Sequence, residues 1–177
     1  MEVLIIIVIV ILVIILAKYN NLVKARNKVR QAESGVDVYL NQRFDLIPNL
    51  VECVKGYSKH EKEIFTEITN LRTTYMKQPK DIKNAEKLNN KMNQIIAVAE
   101  NYPELKANEN FAKLSADLTK IEDEIANSRK YYNGAVRELN NEIQMFPGNI
   151  VAGVFGFKQA NMFEANAEER NNVKVSL

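Results

Sequence analysis

From Leu22 to Tyr39 apolar or small residues recur at alternating steps of three and four, as Leu22, Ala25, Val29, Ala32, Val36 and Tyr39. That spacing lines them along one stripe of a helix. A second helix carries Leu50, Val54, Tyr57, Ile64, Ile68 and Leu71 and ends near Gln78-Pro79. A third, from about Asp81 to Ala99, repeats the pattern with Ala85, Leu88, Met92, Ile95 and Ala99. The fourth is the clearest, with Phe111, Leu114, Leu118, Ile121, Ile125, Ser128, Tyr132, Ala135, Leu139 and Phe146 in heptad spacing and one polar gap at Glu142. At 1.5 Å per residue, Asn108 to Phe146 makes a rod of roughly 58 Å. The pattern predicts an all-α protein in which long helices pack up and down in an antiparallel bundle of about four.

Ahead of these stripes, Val3 to Ala17 is an unbroken apolar run of isoleucine, valine and leucine. A soluble amphipathic helix would not be apolar on every face. With its flanks the run spans roughly 25 Å, slightly under the ~30 Å hydrocarbon core, a mismatch that snorkelling by Lys18 and local thinning can absorb. A cleaved signal peptide would show a basic segment before the run and a small-residue cleavage site after it. Neither is present, so residues 1–18 read as an uncleaved transmembrane anchor whose helix continues directly into the first stripe.

Two breaks organise the body. Asp45-Leu46-Ile47-Pro48 reads as an N-cap followed by proline in a first turn, and either a reversal or a kink fits there. Asn101-Tyr102-Pro103 is the second break, followed by Asn108-Glu109-Asn110 as polar starting residues. With a reversal or a kink alike, the last helix returns to the membrane end. The bundle then occupies residues 19–147, and residues 148–177 form a Gly/aromatic segment at membrane height with a polar tail. Gly148 to Phe163 either caps the bundle or lies as a membrane-surface or self-association element.

Charge sharpens the topology. Residues 1–30 hold Lys18, Lys24, Arg26, Lys28 and Arg30 against Glu2, a net +4 that leaves −2 for the remainder of a chain whose total is +2. Cations crowded behind one end of the apolar run predict a cytoplasmic body and an N-terminus outside, in the cytoplasmic membrane. The near-neutral total offers no field to recruit nucleic acid. Lys18, Lys24, Arg26, Lys28 and Arg30, with Phe155 and Phe157, are the candidate membrane-surface residues.

Candidate chemistry is sparse. Cys53 is the sole cysteine, so no internal disulfide is possible, and it reads as an inert, partly buried thiol. His60-Glu61 lacks the second histidine one turn later that a zinc-peptidase pair requires, since position 64 is Ile64. Glu122-Asp123-Glu124 reads as a solvated face. No catalytic residue, metal site or cofactor is expected. Tyr19-Asn20 and Tyr132-Asn133, repeated near the lower ends of the first and last helices, are candidates for hydrogen bonds that fix helix pairing. Arg43 falls on a buried stripe and needs a carboxylate, with Asp45 the nearest.

Several of these residues carry a family likeness. Tyr19-Asn20, Arg26-Asn27, Arg43-Phe44-Asp45-Leu46-Ile47-Pro48-Asn49-Leu50-Val51, Val54-Lys55-Gly56-Tyr57, His60-Glu61, Tyr102-Pro103-Glu104-Leu105, Tyr132-Asn133, Phe146-Pro147 and Phe155-Gly156-Phe157 resemble, in order, the bacterial LemA family. The sequence departs from the usual pattern at Ser34-Gly35, where many relatives carry a bulky aromatic, and at Asn41-Gln42-Arg43, where they are more basic. The resemblance implies a single-pass bacterial membrane protein with an antiparallel helical bundle and no established catalytic activity. One relative belongs to machinery that shapes magnetosome membranes, which implies a membrane-organising role. The expected function is a non-catalytic scaffold that self-assembles on the bilayer as a homo-oligomer and organises or remodels it. The alternative is an adaptor presenting a bundle face to another membrane protein, such as a protease or transporter.

Overall fold

A computed structural model describes residues 1–55, 62–77, 82–100 and 102–163. Among them the chain is helical with no strand: α1 (Glu2–Asp45), α2 (Ile47–Lys55), α3 (Lys62–Lys77), α4 (Ile82–Glu100), α5 (Pro103–Lys106), α6 (Glu109–Gln144) and α7 (Gly148–Phe155). These are seven helices where about four were expected, and α2, α5 and α7 have fewer than ten residues each. Tyr57, His60, Glu61, Gln78, Pro79, Asp81 and Asn101, which figured in the sequence reading, lie outside the described residues.

The first third of α1 is apolar and exposed on all sides from Val3 to Leu16. It is the one described helix long and apolar enough to cross a membrane. A helix bonds every interior N–H and C=O to itself, the condition a hydrocarbon environment imposes.

The chain divides into two compact units, Met1–Val36 with Asn127 onward, and Asp37–Ala126. In the first, Leu22, Ala25, Val29 and Ala32 of α1 pack with Ala135, Val136 and Leu139 of α6 and with Val151 and Ala152 of α7. Lys18 bonds Glu142 at 3.1 Å and Lys28 bonds Glu138 at 2.5 Å. Partners descend on α6 as they ascend on α1, so the two segments run antiparallel. The predicted stripe holds on α1, and the polar gap at Glu142 is filled by its pairing with Lys18. It fails at Phe146, which is 78% exposed, because α6 stops at Gln144 and the chain turns before α7.

The second unit has its own core, in which Phe44, Ile47, Leu50, Val54, Ile68, Tyr75, Leu88, Met92, Ile95 and Leu105 are almost wholly buried. Phe111, Leu114 and Leu118 of α6 complete it. Only Leu46 interrupts the helix between α1 and α2. Pro48 has no N–H to give the Phe44 carbonyl four residues back. Arg72 Nε donates to that carbonyl instead, at 2.9 Å, and Arg72 Nη2 reaches Asp45 Oδ1 at 3.1 Å. The Tyr75 ring meets Phe44 at 4.5 Å. α3 therefore returns to the start of α2, and the direction reverses between those two helices rather than at Pro48. Pro103 opens α5, and Asn108 Oδ1 accepts the N–H groups of Asn110 and Phe111 as the N-cap of α6, which is the predicted second break.

Arg43 is the buried charge of this core, but its carboxylate is Glu122, not Asp45. Asp45 is occupied by Arg72. Glu122 is thus not merely part of a solvated face. Arg43 and Glu122 lie on different helices, and a pairing of that kind is invisible to local spacing.

Candidate membrane-proximal site

The first unit carries its built contacts from the end of the apolar stretch of α1 upward along α6. α7 begins at Gly148, whose position leaves no room for a side chain: a Cβ there would lie 2.1 Å from the Glu142 carbonyl oxygen. It ends at Gly156 with φ 72°, a left-handed cap whose N–H bonds Ala152 O, and Phe157 N–H bonds the same oxygen at 2.9 Å. That cap turns the following chain back along the helices.

Two asparagines then hold the chain on α6. Asn140 donates to the Ala160 carbonyl at 2.9 Å and accepts the Ala160 N–H at 3.0 Å. Asn133 does the same for Phe163, at 3.0 and 2.8 Å. Each primary amide offers a donor and an acceptor side by side and so imitates a neighbouring strand. The spacing fits: seven helical residues rise roughly 10.5 Å, and three extended residues span about 10 Å. Tyr132 Oη adds a bond to the Asn161 carbonyl at 3.1 Å. Burial, and secondarily the Glu33 charge, raise the Tyr132 pKa, so its phenol stays a donor.

Aromatic rings complete the attachment. Tyr19 lies 4.8 Å from Phe155 and 5.8 Å from Phe157, the Arg26 guanidinium sits 5.0 Å over Phe157, and Arg129 sits 5.6 Å over Phe163. Such contacts contribute roughly 0.5–1 kcal/mol each at exposed positions.

The candidate residues are therefore used differently from the sequence expectation. Tyr132 and Asn133 hold the segment after Pro147 rather than joining α1 to α6, and Tyr19 packs against that segment; Asn20 is exposed. Phe157 is half-buried beneath Arg26, whereas Phe155 stays more than half exposed. In the basic collar, Lys18 and Lys28 face carboxylates, and the hydrogen bond and charge of Glu138 raise the Lys28 pKa. Lys24, Arg26 and Arg30 are exposed. Arg30 stands roughly 18 Å beyond Lys18 along the helix, about two Debye lengths at physiological salt, so Lys24 and Arg26 dominate any attraction to a surface at the level of Lys18.

Sequence reasoning missed Asn140, placed Phe146 on a buried stripe, and treated Gly148 to Phe163 as a whole without singling out Ile150 and Val154. Asn140 had a legible signal, its seven-residue spacing from Asn133. The apolar character of α7 was legible, but which of its residues face outward was not, because α7 presents apolar residues on both faces. The second unit has an open groove of roughly 650 Å³ where Cys53 lies beside Glu52, Asn49, Lys113 and Asp117. Cys53 is half-buried there, and among the described residues no three His, Cys, Asp or Glu side chains converge as a metal site.

The chain is similar in sequence to known proteins. A magnetosome protein MamQ of Paramagnetospirillum magneticum is 26% identical over 85% of this chain, which spans 66% of that protein's length. The protein LemA of Metamycoplasma hominis is 25% identical over 91% of this chain and 75% of its own. Magnetosome protein MamQ of Magnetospirillum gryphiswaldense is 22% identical, with 84% and 65% covered. The LemA family profile matches residues 32–177, from the middle of α1 onward, and the chain belongs to the LemA family.

Proposed function

We propose that this chain is a non-catalytic, membrane-anchored helical scaffold that self-assembles and organises or remodels a bacterial cytoplasmic membrane. The observation that carries this reading is where the polar contacts are spent. Asn133, Asn140 and Tyr132 hold residues 160–163 along α6, directly after the apolar, glycine-bounded α7, whose Phe155 packs on Tyr19 beside the end of the apolar run. The bundle follows the up-and-down plan of four long helices, with α2 continuing α1. The N-terminus lies outside and the body in the cytoplasm, the orientation that the basic collar supports. Anionic lipid, through Lys24 and Arg26, and further copies of the chain are the partners. Relatives that carry the name of magnetosome proteins point the same way.

A second reading, an adaptor for another membrane protein such as a protease or transporter, draws on the open groove beside Cys53. Gentle detergent extraction of the full chain separates the two. A ladder of self-cross-linked species supports the scaffold. A monomer that brings down one stoichiometric membrane partner overturns it in favour of the adaptor.

A further inference from the structure

We infer that α7 lies in the plane of the membrane surface, with Ile150 and Val154, joined by Phe146 from the preceding turn, buried among lipid acyl chains. The inference rests on the anchoring of α1 and adds a second, independent lipid contact.

The geometry carries it in three steps. α7 sits where the apolar run of α1 ends. Its first residue packs on Glu142 of α6, whose carboxylate bonds Lys18, while its last residue, Phe155, sets its ring tilted against Tyr19. Through Glu142 at one end and directly at the other, α7 is thus tied to adjacent positions of α1, where the apolar run gives way to the collar. α7 is also apolar on the side turned away from the core. Val151 and Ala152 are buried, while Phe146, Ile150 and Val154 are 78%, 57% and 74% exposed. Ile150 and Val154 stand one turn apart on that outer side. Finally, no charged residue occurs from Met145 to Phe157. A charged group at this depth would resist insertion, and the stretch is bounded by Glu142, already paired, and Lys158.

The exposed apolar surface of α7 is therefore continuous with the lipid-facing surface of α1, which fixes the bilayer as its occupant. A short helix of this kind settles about 5–10 Å into the boundary between headgroups and acyl chains. Rigid docking by Gly148, Gly156 and the asparagine clamps holds it there without a folding step on contact.

The test uses the full chain with Cys53→Ser, reconstituted into phosphatidylcholine–phosphatidylglycerol vesicles containing nitroxide lipids. An environment-sensitive fluorophore is attached through Val154→Cys, Ile9→Cys or Asn127→Cys. Asn127 is exposed on α6, roughly 22 Å along the helix from Glu142, and serves as the control outside the lipid. The inference predicts that the Val154 probe loses most of its emission to shallow nitroxides and less to deep ones, with Ile9 quenched by deep ones and Asn127 by neither. A water-like, unquenched Val154 probe beside a quenched Ile9 probe overturns the inference and leaves the anchor intact. A blue-shifted but unquenched Val154 probe assigns the surface to a second copy of the chain and overturns it too. Failure of quenching at Ile9 as well removes the anchoring on which both readings rest.

Discussion

Arg43 sits inside the second core with its side chain 5% exposed, and Glu122, at 46%, is its partner. Removing the partner of a fully buried charge costs about 3–5 kcal/mol. Solvent at Glu122 screens part of that, so Glu122→Ala should destabilise the protein by roughly 1–3 kcal/mol, and Asp123→Ala by about 0.5 or less. Urea titration of both variants checks this, and equal midpoints would show that the pair contributes nothing. Spacing alone marked Arg43 as a buried residue in need of a carboxylate, but it could not say which helix supplies one, and it left Glu122 among solvated residues. Tyr75 presents the opposite case. It is wholly buried, and its Oη has no hydrogen-bond partner among the described residues. Burial, then the Asp37 charge, raise its pKa above the usual value. The folded phenol keeps its proton while the unfolded chain loses it near pH 10, so this contribution is present below pH 10 and is lost as pH rises towards the folded value. Tyr75→Phe should be neutral or stabilising at pH 7, since the ring contact with Phe44 survives, and should flatten the alkaline loss of stability. Lys28, held protonated by Glu138, acts in the same direction. The difference between wild type and variant is thus the quantity to measure, and an unchanged alkaline slope would count against this assignment of Tyr75.

At the scale of elements, the asparagine clamps should decide whether the chain after α7 stays docked. An unsatisfied buried polar group costs about 1–3 kcal/mol, and each clamp satisfies two backbone groups. Asn133→Ala with Asn140→Ala should free residues 157–163, which hydrogen exchange reads directly at the amides of Ala160 and Phe163. Retained protection there would mean that the rings of Phe157 and Phe163 suffice alone. Asn140→Asp separates the two halves of a clamp, because a carboxylate still accepts the Ala160 N–H but cannot donate to its carbonyl. The long stripes of α1, α4 and α6 were legible because three-and-four spacing survives wherever one helix face is buried along its length. The short helices were not. α7 is apolar on both sides, one facing the core and one facing outward, and periodicity carries no information there. At Pro48 the sequence left a reversal and a kink open, because the group that serves the Phe44 carbonyl is Arg72, twenty-four residues later in the chain and beyond any local window.

For the whole molecule, two cores share one chain, α1 and α6 contribute to both, and among the described residues only α1 is long and apolar enough to cross a bilayer. Cations behind the apolar run predict that a cysteine introduced at Ser115, with Cys53 replaced, stays unlabelled by an impermeant thiol reagent in intact cells and reacts after lysis. Labelling of intact cells would invert the topology. Whether the chain assembles on a membrane and shapes it is read by imaging vesicles that carry the full chain at rising density. Cross-linking of the same samples reports self-association. A self-assembling scaffold should give higher oligomers and curved or tubulated vesicles together above a threshold density. Vesicles that stay round at every density, around a chain that stays monomeric, would contradict it.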